Sequence, residues 1–115
     1  DLDFATTLKR VQSGFEDFRS DLTMLETSQE LFNLSVNRSL KDLYILRQST
    51  PRGIGIGAGV PWYCAVFGRD SAITSLQLLP FAPILAKETL SVLAAYQGRE
   101  DNTYKAEHPG RIMHE

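Results

Sequence analysis

The stretch FGRDSAITSLQLLP, residues 67–80, contains the clearest signals for the fold. Apolar side chains occupy most sides of the segment that follows Asp70, which is typical of a buried helix. The carboxylate of Asp70 suits the N-cap of such a helix, and Pro80 is a residue that cannot continue one. We therefore predict a third helix over Ser71–Leu79, capped by Asp70 and buried on nearly all sides.

Three further helices are predicted around this one. Apolar residues recur at steps of three and four near the N-terminus, and a second such stripe follows the capping-box pair Thr27 and Glu30 and runs to about Gln48. Pro83 suits the first turn of a fourth helix, and Gly98 suits its C-terminal cap. The first stripe consists of Phe4, Leu8, Val11, Phe15 and Phe18.

The pattern as a whole predicts an all-α fold. Short connections such as 80–82 make neighbouring helices antiparallel, so residues 1–115 are expected to form a single segment of helical hairpins. The loops 49–70 and 99–115 then emerge at the same end and can line one pocket. Because the chain lacks an initial Met and stops at Glu115 directly after a loop, we expect it to be a piece of a larger domain.

The glycine-rich stretch 49–59 is predicted to be a long loop. Pro51 and the glycines at 53, 55, 57 and 59 disfavour a helix there. The run from Gly53 to Ala58 also fits the glycine pattern of dinucleotide sites, but no buried strand precedes it and no βαβ unit surrounds it. Neither a nucleotide nor another cofactor is therefore expected.

Arg69 and Asp70 form a charged pair directly after Gly68. The carboxylate can accept hydrogen bonds from two neighbouring hydroxyls of a sugar ring, and the guanidinium donates in a fixed geometry. A simple N-cap is the alternative role for Asp70, and both roles are compatible because one oxygen can cap the helix while the other faces a ligand. This pair is the sharpest candidate for a sugar-binding site.

Three aromatic residues, Trp62, Tyr63 and Phe67, lie just before this pair. Aromatic faces stack on the apolar faces of pyranose rings, and tryptophan offers a large, rigid platform. Trp62 fits either such a platform or a core position, whereas Phe67 is predicted to belong to the core. Cys64 has neither a base nor a helix N-terminus beside it, which predicts a small buried residue rather than a nucleophile.

The C-terminal end holds a second group of polar residues. Two histidines and two carboxylates lie within 107–115, but their spacing matches no compact metal motif, so no metal site is expected. His114 and Glu115 are instead candidate hydrogen-bonding residues of a polar pocket. The alternative is an exposed tail without a ligand.

Charge and composition limit the partners. A net charge of -2 without a cluster of Lys and Arg gives no reason to expect a nucleic acid or an anionic membrane. No apolar run approaches the length of about 18 residues that spans a bilayer. Cys64 is the single cysteine, which excludes an internal disulfide and fits a reducing compartment, so we predict a cytoplasmic location.

Together these motifs resemble the bacterial and archaeal amylo-α-1,6-glucosidase proteins of the glycogen-debranching type. The block FGRDS at 67–71 is the strongest signal, and the likeness covers nearly the whole chain from about Thr23. Family members often carry Lys where Arg111 stands, and Ser or Thr near Cys64. Further matching stretches are 38–43, 59–62, 85–86, 93–98 and 109–115.

The resemblance implies a partial (α/α)6 toroid, the fold of six-hairpin glycosidases. By this likeness Arg69 and Asp70 hold the sugar next to the scissile bond, Trp62 shapes the pocket wall, and His114 and Glu115 also meet the sugar. The catalytic carboxyls of related enzymes come from later loops, which here would lie beyond Glu115. No catalytic residue is therefore expected in this chain.

These inferences predict the substrate-binding part of a glycoside hydrolase. The parent protein would act on α-glucosidic linkages, α-1,6 linkages included, of glycogen-like glucans or small α-glucosides, and this chain alone would be inactive. The alternative is a small helical module that binds carbohydrate or protein without catalysis. Because an incomplete toroid would expose the apolar sides of the third helix, we also expect self-association.

Overall fold

A computed structural model describes residues 3–114 and divides the chain into two units, Asp1–Ile45 and Leu46–Glu115. The first unit is a pair of helices. The second begins with a β-hairpin and continues with two further helices. The elements, in chain order, are α1 (Phe4–Ser20), α2 (Glu30–Leu46), β1 (Arg47–Thr50), β2 (Gly53–Ile56), α3 (Gly68–Leu78) and α4 (Pro83–Ala95).

Aromatic side chains join α1 to α2 in the first unit. Phe15 and Phe18 of α1 both lie against Tyr44 of α2, with ring centroids 5.5 and 5.6 Å apart. Phe18 and Leu40 are buried, whereas Phe4 at the start of α1 is exposed. The predicted first helix is confirmed, but its apolar stripe reaches the interior only near its C-terminal end.

The start of α2 differs from the predicted capping box. The Thr27 hydroxyl accepts from the amide of Gln29, at 3.2 Å, rather than from the amide of Glu30. The side chain of Asn33 makes the reciprocal contacts: its Oδ1 accepts from the Thr27 amide at 2.9 Å and its Nδ2 donates to the Thr27 carbonyl at 2.7 Å. Asn33 thus takes the place predicted for Glu30.

A β-hairpin replaces the loop predicted at 49–59, so the all-α prediction, with its partial (α/α)6 toroid, is wrong. The described residues form four helices and a two-stranded antiparallel sheet, in which β1 pairs with β2 from Arg47 opposite Ile56 to Thr50 opposite Gly53. Glycine and isoleucine alternate along β2 with the period of a strand. The missing side chain of Gly55 leaves room for a neighbour, since a Cβ there would lie 2.8 Å from Cγ2 of Val66.

The core of the second unit lies where α3 and α4 pack against β2. The Ser71 hydroxyl donates to the carbonyl of Ile56 at 2.8 Å and so ties α3 to the strand. Small residues such as Ser71 and Ser75 form the buried face of α3, while Leu76 is 69% exposed, so the prediction of a helix buried on nearly all sides is wrong. The buried apolar residues of this unit are Ile56, Val66, Leu78, Ala82, Leu85, Ala86, Val92 and Leu93.

The ends of α3 and α4 also differ from the prediction. The N-cap of α3 is Phe67, whose backbone is extended, so Asp70 lies within the first turn and is not the cap. Pro83 begins α4 as predicted. The C-cap of α4 is Tyr96, and Gly98 lies beyond the helix rather than capping it. Asp70 is therefore not needed to complete its own helix.

Candidate functional site

The start of α3 is held by the C-terminal segment of the chain. The Gly68 amide donates to the carbonyl of His114 at 3.1 Å. A Cβ on Gly68 would overlap the carbonyl oxygen of Met113 and lie 3.0 Å from Cγ2 of Ile112. The close approach of residues 112–113 to the start of α3 therefore requires glycine at position 68. The predicted meeting of the two loops is confirmed for residues 67–68 and 112–114.

Three rings lie beside this contact. Phe67 packs edge to face against both Tyr63 and His114, with centroid distances of 6.1 and 6.0 Å and interplanar angles of 73° and 75°. T-shaped arrangements of this kind are favoured by aromatic rings. Phe67 is half-buried rather than in the core as predicted, and it positions the exposed His114 beside the start of α3.

Trp62 stands on a closed turn and is 85% exposed. Gly59 and Tyr63 close this turn by exchanging two backbone hydrogen bonds of 3.0 and 2.9 Å. The turn contains the cis bond between Val60 and Pro61. A core position for Trp62, one of the two roles open from the sequence, is thereby excluded, and its indole faces are open to a ligand.

Arg69 and Asp70 both reach solvent at the start of α3. Nη2 of Arg69 lies 3.9 Å from Oδ2 of Asp70, and the two side chains are 80% and 44% exposed. An ion pair this long and this exposed contributes little to stability. No hydrogen bond within residues 3–114 uses the Asp70 carboxylate, so its oxygens remain available to a ligand.

Cys64 is exposed, and its predicted burial is wrong. Its thiol donates to the carbonyl of Pro61 at 3.2 Å, on the same turn that carries Trp62. The partner is a carbonyl rather than a base, which gives the sulfur no help in becoming a nucleophile.

The structure brings together some of the predicted site residues and not others. His114 meets Phe67 and Gly68 at the start of α3. Within residues 3–114, no hydrogen bond, ion pair or ring contact links Trp62 to the pair at 69–70. Glu115, also predicted for the site, lies outside the described residues.

A groove lies among residues 96–114, largely within the loop that was predicted to line a pocket. It has a volume of about 680 Å³ and is partly open to solvent. The bridge between Asn102 and Glu107 closes a turn beside it. Its lining consists of Tyr96, Gly98, Tyr104, Lys105, Ala106, Glu107, Arg111, Ile112, Met113 and His114.

One further polar pair lies near this groove. Nδ1 of His108 is hydrogen-bonded to Oδ1 of Asp101, and both side chains are largely exposed. In the part of the chain that the structure describes, no group of three or more His, Cys, Asp or Glu residues could hold a metal ion. The helices in that part are all too short or too polar to cross a membrane.

A comparison with known protein families and with curated proteins finds no match for this chain. The likeness to the debranching family therefore stays a prediction based on its motifs.

Proposed function

We propose that this chain is the substrate-binding part of a glycoside hydrolase that acts on α-glucosidic linkages, α-1,6 linkages included, of glycogen-like glucans. Trp62, Arg69, Asp70 and His114 are the proposed sugar ligands, and Glu115, the next residue along the chain, belongs to the same proposed set. The partner is an α-glucan or a small α-glucoside.

The observation that carries the proposal is the exposed charged pair at the start of α3. Phe67 is the N-cap there, so the carboxylate of Asp70 is not consumed by the helix, and Arg69 lies mostly in solvent. A carboxylate with open lone pairs accepts from two vicinal hydroxyls, and a guanidinium donates in one plane. Charge-assisted hydrogen bonds are stronger than neutral ones, which suits the recognition of an uncharged polyol.

Two exposed rings of the same unit support the same interpretation. Trp62 offers a flat apolar surface on a closed turn, and the apolar face of a pyranose can stack on such a surface. His114, held by Phe67, adds a ring nitrogen that donates or accepts a hydrogen bond. Apolar walls with a few oriented polar groups are typical of small-molecule sites.

Cleavage is assigned to other parts of a larger protein. An inverting glycosidase needs two carboxyls about 6.5–9.5 Å apart, one as acid and one to activate water. Asp70 is paired with Arg69 and is assigned to binding, so we expect no release of glucose by this chain alone. A cytoplasmic location is part of the proposal and is supported by the free, exposed thiol of Cys64.

Titration with maltotriose tests the proposal. We expect a millimolar Kd, or about -4 kcal/mol of binding free energy, because only part of the site is present. Asp70→Asn should weaken binding about tenfold, since it removes the charge from the acceptor. Asp17→Asn, on the exposed side of α1, is the matched control and should change nothing.

Two results of this titration would count against the proposal. Equal affinities of the Asp70→Asn and Asp17→Asn proteins would remove Asp70 from the site. A micromolar Kd for the unmodified chain would favour a complete binding module without catalysis. Glucose release from maltotriose by the purified chain would contradict the assignment of cleavage to other parts of the protein.

Self-association belongs to the same proposal and is supported by exposed apolar side chains of the second unit. Ile73 and Leu76 of α3 and Ile84 and Leu90 of α4 all lie in solvent, and exposed apolar surface promotes association. We expect light scattering to give a mass above 12.9 kDa that rises with concentration. Leu76→Gln should lower that mass, and a constant monomeric mass for the unmodified chain would contradict self-association.

A further inference from the structure

The groove among residues 96–114 combines cations with tyrosine rings. Lys105 and Arg111 line it together with Tyr96 and Tyr104. Its volume of about 680 Å³ falls within the range of about 300–1,000 Å³ that is usual for small-molecule sites. The charged pair at 69–70 does not line it, so this groove is a separate feature of the second unit.

The turn that carries Lys105 is fixed by its own hydrogen bonds. Asn102 and Glu107 exchange two backbone hydrogen bonds of 3.0 and 2.9 Å, and the Lys105 amide donates to Oδ1 of Asn102 at 3.2 Å. Ala106 closes the turn in a left-handed conformation with φ of 51°. Lys105 and the 97% exposed Tyr104 are therefore presented by a preformed turn, which lowers the entropic cost of binding.

Arg111 stands on an equally well-anchored backbone. Its amide donates to the carbonyl of His108 at 3.0 Å, and its carbonyl accepts from the amide of Gly98 at 2.8 Å. Gly98 permits this arrangement, because a Cβ there would overlap the carbonyl oxygen of His108. The backbone of Arg111 is thus fixed at the groove, while the residue stays exposed to solvent.

Positive charge exceeds negative charge along the described lining. Glu107 is the one carboxylate there, and its Oε1 already accepts from the amide of Arg99 at 2.9 Å. Neither Lys105 nor Arg111 forms an ion pair with any residue of 3–114. A phosphate group, with a charge of about -1.5 to -2 at pH 7, suits two such cations, and arginine can bind it through two parallel hydrogen bonds.

We infer that this groove binds a phosphorylated sugar. Lys105 and Arg111 hold the phosphate, and the ring of Tyr96 or Tyr104 covers the apolar face of the sugar. Inorganic phosphate offers the charge without the ring, and a neutral sugar offers the ring without the charge. The inference does not depend on the proposed glucan site, although His114 lies at both.

Calorimetric titration of the 115-residue chain with glucose 6-phosphate tests this inference. We expect saturable binding about tenfold tighter than that of either glucose or inorganic phosphate, weakening as salt is added. Lys105→Gln and Arg111→Gln should each weaken it about tenfold, because each removes a charge-assisted contact. Lys87→Gln, on the exposed side of α4, is the matched control and should bind like the unmodified chain.

The comparison ligands separate the parts of the inference. Glucose binding as tightly as glucose 6-phosphate would overturn the role of the two cations. If inorganic phosphate bound as tightly as glucose 6-phosphate, only the anion would be recognised, and the proposed contact with the sugar ring would be wrong. No binding, or the same loss in Lys87→Gln as in Arg111→Gln, would overturn the site. The maltotriose titration of these variants, which all retain Asp70, reports separately on the proposed glucan site.

Discussion

The two units bury their apolar side chains to different depths. In the first unit α1 and α2 meet through the rings of Phe15, Phe18 and Tyr44, while most other large apolar side chains on these helices are exposed. In the second unit β2, α3 and α4 enclose residues such as Leu85 and Val92 almost completely. The helical periodicity is regular in both units, so an apolar stripe predicts that a helix forms but not how deeply it is buried.

The proposed ligand-binding residues all belong to the second, more deeply buried unit. Trp62 and Lys105 stand on turns closed by backbone hydrogen bonds, and Asp70 stands in the first turn of a helix that packs on the core. Binding residues on exposed turns supported by a rigid scaffold are a common arrangement in proteins. The first of the following predictions tests this contrast between the units directly, and the other two each test a contact within one unit.

The largest effect is expected from the core of the second unit. Leu85→Ala should lower the free energy of unfolding by about 3 kcal/mol, because it leaves a cavity at a buried site. Leu34→Ala, at a position of the first unit that is 58% exposed, should cost less than about 0.5 kcal/mol. Urea unfolding of both variants measures the difference, and similar losses would contradict the contrast in burial.

An intermediate effect is expected where the C-terminal segment meets α3. Gly68→Ala should lower the free energy of unfolding by about 2 kcal/mol, because the added methyl group collides with the carbonyl of Met113. Gly59→Ala is the matched control, since a Cβ there has no atom within 4 Å. Equal stability of the two variants in urea would show that residues 112–114 do not depend on this close approach.

The smallest effect is expected at the start of α1. The Thr6 hydroxyl and amide donate to the Asp3 carboxylate at 3.0 and 3.2 Å and hold the pKa of Asp3 below its ordinary value of 3.8. Because the folded pKa is the lower one, this contribution is complete above the ordinary value and is lost as the pH falls through the lowered pKa. Circular dichroism should show a slight loss of helix below about pH 4 in the unmodified chain and no such loss in Asp3→Asn. Identical acid titrations of the two proteins would show that the ionised Asp3 carboxylate does not stabilise the start of α1.

The helices are the part of the fold that the sequence predicts well. Their apolar residues recur at helical spacing, and Pro83 marks the first turn of α4. The hairpin was not predicted, because glycine disfavours helix and strand alike when it is considered by residue type alone. Glycine is suited to position 55 of β2 because Val66 fills the space beside it, and Val66 lies well beyond the strand in sequence.

The candidate sites also differ in how far the sequence predicts them. Arg69, Asp70 and His114 can be selected from residue type and order, since a charged pair before an apolar helix is itself a signal. The two cations of the groove could not be selected, because Lys105 and Arg111 come to line one groove only through backbone hydrogen bonds made elsewhere in the loop. Contacts of that kind have no local signature in the sequence.

The central claim is that the charged pair at the start of α3 binds sugar, and an amide chemical-shift map of the chain with maltotriose tests it most directly. We predict the largest shifts at Arg69, Asp70 and His114, none along α1, and the loss of these shifts in Asp70→Asn. Shifts that centre elsewhere, or that persist unchanged in Asp70→Asn, would contradict the claim.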